Sequence, residues 1–524
     1  MPETQSKRPP VRWLDLPNKD QLFILALCRL SEPLSNTCLL PYIYYLIRST
    51  TSPDSQSSNA GEDSSISKLS GVLIAAFPLA QFATSILWGR LSDSYGRKSI
   101  ILLGLFVSVF SNLAFGLSRT FGSLLFWRIF SGLASGNVGV MRTMTAEIVK
   151  EKKYQTRAFL LLPLIFNLGM VAALALGGCL ADPAINISWL FGAQGLFNFS
   201  SKPGGVAWAI QYPYALPALF NAALLGLSLV IAALYLRESL EVLECTPGLG
   251  ASLGSSVIGF FRRIFSNHAR EYSSLPLEDI EELSSYHSES KPTTSSTPAM
   301  GQKRLPFRAI WTPRVLAAIL SFGLLPLHNA AYMHILPIYL STPSSPNFNA
   351  TLFSFTGGLG LHSPSIGLWL SLFGVGGILL QMFIYPRLQA MLGTLGVFRI
   401  ALFTFPITYA LAPYLSLMTP GATLTWIAMA LVVASQIVAR TLAIPSTVIL
   451  LTNAVEHKSV LGTVHGAGNM LSSLARAVGP AVGGLTYSWG VEHGAVGAVW
   501  WLWLLVVALI ALAASYLMKE DESS

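Results

Sequence analysis

Charge is what this sequence has least of. Asp, Glu, Lys and Arg make up only 11% of its 524 residues, against roughly a quarter in domains that face water. A chain so poor in charge cannot cover itself with polar surface, so a soluble globular protein is excluded and lipid must be its main solvent. Cysteine is also scarce. The four present (Cys28, Cys38, Cys179, Cys245) form no disulfide framework, and the first three lie inside apolar runs where a thiol is inert. There is no C-x-x-C or Cys/His spacing for a structural metal. No G-x-x-x-x-G-K-[ST] loop, dinucleotide fingerprint or nucleophile–base–acid set stands out either, so an ATP-driven pump and an enzyme are both disfavoured and no cofactor is called for. The net charge of +8 is scattered between apolar runs rather than gathered into a surface for nucleic acid.

Apolar residues are abundant, at 52% of the chain with a mean hydropathy of +0.56. Crossing a bilayer takes roughly 20 predominantly apolar residues. Segments that meet this length run over 21–48, 69–92, 99–119, 121–149, 157–180 and 213–236, then over 309–340, 364–386, 395–417, 423–452, 461–489 and 496–518. The layout predicts an all-α membrane protein of twelve spans in two six-helix bundles. The polar start, Met1 to Asp20, leads into a first segment too long for a signal peptide, which is therefore a span that stays.

Lys and Arg in the loops set the orientation. Lys7, Arg8, Arg12 and Lys19, then Arg97, Lys98, Lys150, Lys152, Lys153 and Arg157, fall on one side together with Arg262, Arg263, Arg270, Lys303, Arg304 and Arg308. The opposite loops hold only Arg48, Lys68, Arg119 and Lys202. The tail 1–20, the segment 237–308 and the end 519–524 are thus expected in the cytoplasm. The segment 237–308 is rich in Ser, Thr, Pro and charge, a composition that reads as a disordered linker between the bundles 21–236 and 309–518. The Ser-rich stretch Thr50 to Ser67 reads as a mobile outer loop, and Tyr42, Tyr44 and Tyr45 as part of an interfacial aromatic belt. Three N-x-[ST] sequons, at Asn186, Asn198 and Asn349, fall in outer loops and are candidate glycosylation sites.

The two halves echo each other. Gly89-Arg90-Leu91-Ser92-Asp93-Ser94-Tyr95-Gly96-Arg97-Lys98 closes the second span, and Pro386-Arg387-Leu388-Gln389-Ala390-Met391-Leu392-Gly393 holds the same place after the eighth. Ala175-Leu176-Gly177-Gly178 in span five answers Ala481-Val482-Gly483-Gly484 in span eleven. Repeats of this kind are the mark of a duplicated transporter. The first run resembles the loop motif G-x-L-[AS]-D-R-x-G-R-[KR] of the major facilitator superfamily, with Ser94 in place of the basic residue. Arg128-Ile129-Phe130-Ser131-Gly132 resembles the fourth-helix motif with its buried arginine. Within the superfamily the likeness is to zinc-induced facilitator-like proteins and their fungal relatives. It is carried by Arg29-Leu30-Ser31-Glu32-Pro33, by Leu461 to Gly466 and by Gly479-Pro480-Ala481-Val482-Gly483-Gly484. The C-[PS]-G-C element of the plant members is absent, and the glycine–proline motif stands in helix eleven, not helix five.

The resemblance implies secondary transport of a small molecule, with proton antiport and efflux as the leading mode and the proton gradient as energy source. The protein is expected to work as a monomer in the plasma or vacuolar membrane. A transporter of metal ions or metal chelates, and a non-transporting sensor with the same fold, are the alternatives. Ionisable residues inside a bilayer are costly and mark function by default. Glu32, about eleven residues into the first span with Arg29 one turn before it, is the candidate proton carrier. Arg128, His328 and Arg476 complete the proton-coupling and substrate candidates. Gly89, Asp93, Gly96, Arg97 and Lys98 are expected to gate the cytoplasmic side, with Asp93 near the N-terminus of helix eleven. Gly479, Pro480, Gly483 and Gly484 are expected to let helix eleven bend and pack closely. Arg142 and Glu147 read as charges snorkelling to the cytoplasmic surface.

Overall fold

The computed structural model describes residues 17–51, 60–149, 152–199, 203–239, 311–344, 351, 353–418, 422–455 and 461–518. Of the linker only 237–239 are described; the rest of it, most of both tails, Asn349 and details of Gly89 and Asp93 lie outside the described residues. Everything regular that is described is helical, as it must be where lipid offers the backbone no hydrogen bonds.

The first crossing is broken into α1 (Lys19–Arg29), α2 (Ser31–Asn36) and α3 (Ile43–Thr51). It is followed by α4 (Ala60–Tyr95) and α5 (Arg97–Gly116), then by a fourth crossing made of α6 (Phe121–Leu133) and α7 (Asn137–Ile148). Next come α8 (Lys152–Leu180), the short outer helices α9 (Pro183–Asn186), α10 (Ser188–Phe191) and α11 (Ala207–Gln211), and α12 (Ala215–Tyr235). The second half begins with α13 (Pro313–Ser341) and α14 (Ser363–Leu379), the latter running through a π turn into α15 (Tyr385–Leu411). Gly393, at φ 69°, turns the chain inside α15 and separates the eighth crossing from the ninth. Then follow α16 (Thr423–Asn453), α17 (Leu461–Glu492), α18 (Val496–Val499) and α19 (Val506–Ser515).

Three local expectations change. The Ser-rich stretch before the second span is helical from Ala60 onward. Asp63 there accepts from Tyr44 at 2.6 Å, and Ser64 bonds Ser488 at 2.6 Å and also Glu492. Tyr42 and Tyr44 are buried rather than part of a lipid-facing belt, with Tyr42 stacked on Tyr214. The fourth crossing is broken at Ala134–Gly136, and α4 covers the carbonyls this frees. Thr84 and the Trp88 indole donate to Leu133 O (2.9 and 2.6 Å), and Gln81 donates to Ser135 O at 3.0 Å. The short break between the third and fourth spans stands, capped by Thr120, which accepts from Ser123 N.

Two helix crossings join the halves, α4 on α17 and α8 on α14. Both close on glycine. A Cβ on Gly71 would stand 2.7 Å from Pro480 O and 3.0 Å from the Cα of Gly484. A Cβ on Gly178 would stand 2.9 Å from the Cα of Gly367. Their neighbours Gly177 and Gly483 pack inside their own halves, against Cys38 and against Ala331 and Ile335. The duplicated Gly-Gly pairs therefore do the same work in each half: one glycine faces the home bundle and the other faces across. Both seams lie toward the ends that the basic-residue count assigns to the outside. Toward the opposite ends a Cβ on Gly139 or Gly466 would meet only open space, and Arg142 is exposed. The two halves are thus closed on each other at the ends where these glycine seams lie.

Candidate functional site

The break between α1 and α2 puts two charges of opposite sign inside the first crossing. Arg29 ends α1, Glu32 opens α2, and the two form a buried ion pair one turn apart. From the second half, Arg476 on α17 reaches the other oxygen of Glu32 at 3.4 Å and donates to Ser473 Oγ at 3.1 Å. Arg29 also lies over the Phe166 ring on α8, 4.9 Å from its centre. Arg142 on α7 lies within electrostatic reach of Glu32, Arg29 and Arg476. One carboxylate thus stands among three guanidinium groups from three crossings, and the bridge to Arg476 ties the two halves together.

The other candidates lie apart from this cluster. Arg128 is buried in the first half, donating to Ser35 O at 2.7 Å with the Phe77 ring beneath it. His328 is wholly buried in the second half, bonded to Tyr409 at 2.8 Å and edge-on to Phe405. Gly479 packs against Leu327, so helix eleven presents Gly479 and Gly483 to α13 and Pro480 and Gly484 to α4. Among the described residues no three His, Cys, Asp or Glu side chains converge as a metal site. Arg142 is the cluster member that reading the sequence assigned elsewhere. The available signal was its distance from Lys150: eight residues, or about 12 Å of helix at 1.5 Å per residue, is deep for a snorkelling charge.

Residues 25–361 match the sequence profile of the Major Facilitator Superfamily. The chain belongs to this superfamily. A multidrug transporter of the superfamily from Aspergillus fumigatus, mfsB, is 31% identical over 543 residues, covering 97% of this chain and 85% of the relative. The protein ZINC INDUCED FACILITATOR 1 of Arabidopsis thaliana is 26% identical over 464 residues, covering 88% and 82%. Among solved structures, a D-xylose–proton symporter superposes with a TM-score of 0.60 at 12% identity, covering 96% of this chain and 98% of that one. The last likeness concerns the fold. The protein is accordingly an integral, multi-pass membrane transporter and not an enzyme.

The superfamily loop motif is held within the first half. Gly96 has φ 91°, and the Glu238 carboxylate occupies the space where its side chain would be. That carboxylate accepts from the backbone N–H groups of Arg97 (2.8 Å) and Lys98 (3.0 Å), capping α5. The Arg97 guanidinium pairs with Glu147 at 3.2 Å and donates to Ser92 at 3.0 Å, while Lys98 donates to Ala233 O. Glu147 is therefore a motif partner, not a free surface charge.

Proposed function

We propose that this superfamily member is a proton-coupled antiporter that exports a small molecule across the plasma or vacuolar membrane. Residues 21–236 and 309–518 rock about the central cluster, which is exposed to each side in turn. The observation that carries this reading is the Glu32–Arg476 bridge, the ion pair that joins the halves at mid-membrane. While it stands it favours the outwardly sealed arrangement. A proton taken up by Glu32 removes one of its charges and releases Arg476, so the halves are free to change places. Gly89, Asp93, Gly96, Arg97 and Lys98 then close the cytoplasmic side, and the bend at Gly479-Pro480 accommodates the movement of α17. The role of the Aspergillus fumigatus relative, multidrug transport, supports export.

The test uses purified protein in vesicles with a trapped pH-sensitive dye and a panel of lipophilic drugs. Addition of a drug should drive proton movement in the wild type. Glu32→Gln should abolish that movement while leaving drug-for-drug exchange intact. Unchanged proton movement in Glu32→Gln would remove Glu32 from the coupling role. If no compound moves in either protein, the sensor reading replaces this one.

A further inference from the structure

We infer that the transported molecule carries an anionic group, a carboxylate or sulfonate, received by Arg476 and Arg142. The inference rests on the transport reading above and adds the substrate's charge to it. Glu32 supplies one negative charge against Arg29, Arg142 and Arg476, and its closest partner is Arg29 on its own crossing. Two positive charges are left over at mid-membrane. His465, which faces Arg142 from α17 and bonds Thr452 at 3.0 Å, adds no negative charge. Nor does Arg440 on α16, whose guanidinium meets the Met170 sulfur at 3.4 Å.

The geometry agrees with the charge count. The Arg476 side chain is 40% exposed, and its Nε is buried without a partner, so part of its donor fork is unfilled. Arg142 is exposed on the open side and makes no hydrogen bond or ion pair among the described residues. A guanidinium fork matches the two oxygens of a carboxylate or sulfonate. A low-dielectric cleft lined by one sign of charge concentrates the opposite sign. The same site would repel an ammonium group.

This substrate also explains how exchange with a proton could be enforced. The Glu32–Arg476 bridge can be opened from either end. An anion takes Arg476 away from Glu32, or a proton takes Glu32 away from Arg476. Each releases the halves separately, so one passenger can serve each direction of the cycle.

Binding is read as thermal stabilisation of the detergent-purified full chain by four naphthalene probes bearing carboxylate, sulfonate, carboxamide or methylammonium. The two acids should bind at least about tenfold more tightly than the amide, a difference of about 1.4 kcal/mol, and the ammonium should bind least. Arg476→Gln and Arg142→Gln should each reduce the preference for acids, and Arg476→Lys should retain part of it. Glu32→Gln should strengthen acid binding, because the competing carboxylate is gone. A misfolded variant cannot mimic that gain. Equal or better binding of the amide or the ammonium overturns the inference. So does an acid preference that survives the double substitution at Arg142 and Arg476, or no stabilisation by either acid at millimolar concentration. Because binding needs no proton gradient, the two readings fail separately. Retained acid binding without proton movement would defeat antiport alone, and proton-coupled movement of only neutral or cationic drugs would defeat the anion alone.

Discussion

At mid-membrane a single titratable side chain can be a carrier or a piece of packing, and its neighbours decide which. Glu32 has charged partners from both halves and an open side. His328 has Tyr409, Phe405 and no access to solvent. Replacing His328 with Ala should therefore act on stability. The Tyr409 hydroxyl loses its His328 partner inside the core, which costs about 1–3 kcal/mol, and the vacated volume adds to this. The expected result is a lower melting temperature with proton-coupled transport per folded molecule unchanged. Loss of coupling in a well-folded His328→Ala would return His328 to the proton path. The sequence revealed Arg29 and Glu32 because charges inside an apolar run stand out and their spacing is local. It could not reveal that Arg476 meets them, since that contact spans 444 positions and exists only once the halves are packed. Arg142 was readable only by its depth, about 12 Å of helix from Lys150, and its partners on the first and eleventh crossings appear only in the packed structure.

At the scale of helices, apolar length located the spans to within several residues, and small residues marked the close crossings. What hydropathy missed was the outer end of α4, because serines count as polar in any window. Here one of them, Ser64, is satisfied by Ser488 and Glu492 of the opposite half. The outer seal depends on the absence of side chains at Gly71 and Gly484, and at Gly178 and Gly367. A leucine at Gly484 would have to enter the backbone of α4, and overpacking of this kind costs about 1–3 kcal/mol. Only the sealed arrangement bears that cost, so Gly484→Leu should shift the population toward the one open to the outside. A cysteine placed at Gly139, where the structure has open space, reports the change. Its labelling by an impermeant thiol reagent from the cytoplasmic face should fall about tenfold for each 1.4 kcal/mol of shift. Unchanged labelling would mean that the seam yields elsewhere and glycine does not control it.

At the scale of the whole molecule, the duplicated motifs predicted two like halves, and the glycine pairs show what the likeness is for. Gly178 and Gly484 hold equivalent places and make equivalent crossings with Gly367 and Gly71. Which face of this arrangement lies outside rests on the asymmetry of Lys and Arg, and glycosylation can test it. Asn186 and Asn198 both lie between α8 and α12, but only Asn186 is recorded at a helix seam. The Asn186 amide nitrogen donates to Ala181 O and to Ser363 Oγ at the α8–α14 seam, where a glycan would separate the helices. Asn198 donates to Ala193 O within its own loop. In eukaryotic cells, therefore, Asn198→Gln should remove one glycosidase-sensitive step of gel mobility, and Asn186→Gln should remove none. A step lost with Asn186→Gln instead would mean that the seam opens before the sugar is attached. A glycan introduced successfully on the loop between α7 and α8 would invert the topology, and with it the direction in which the open cavity faces.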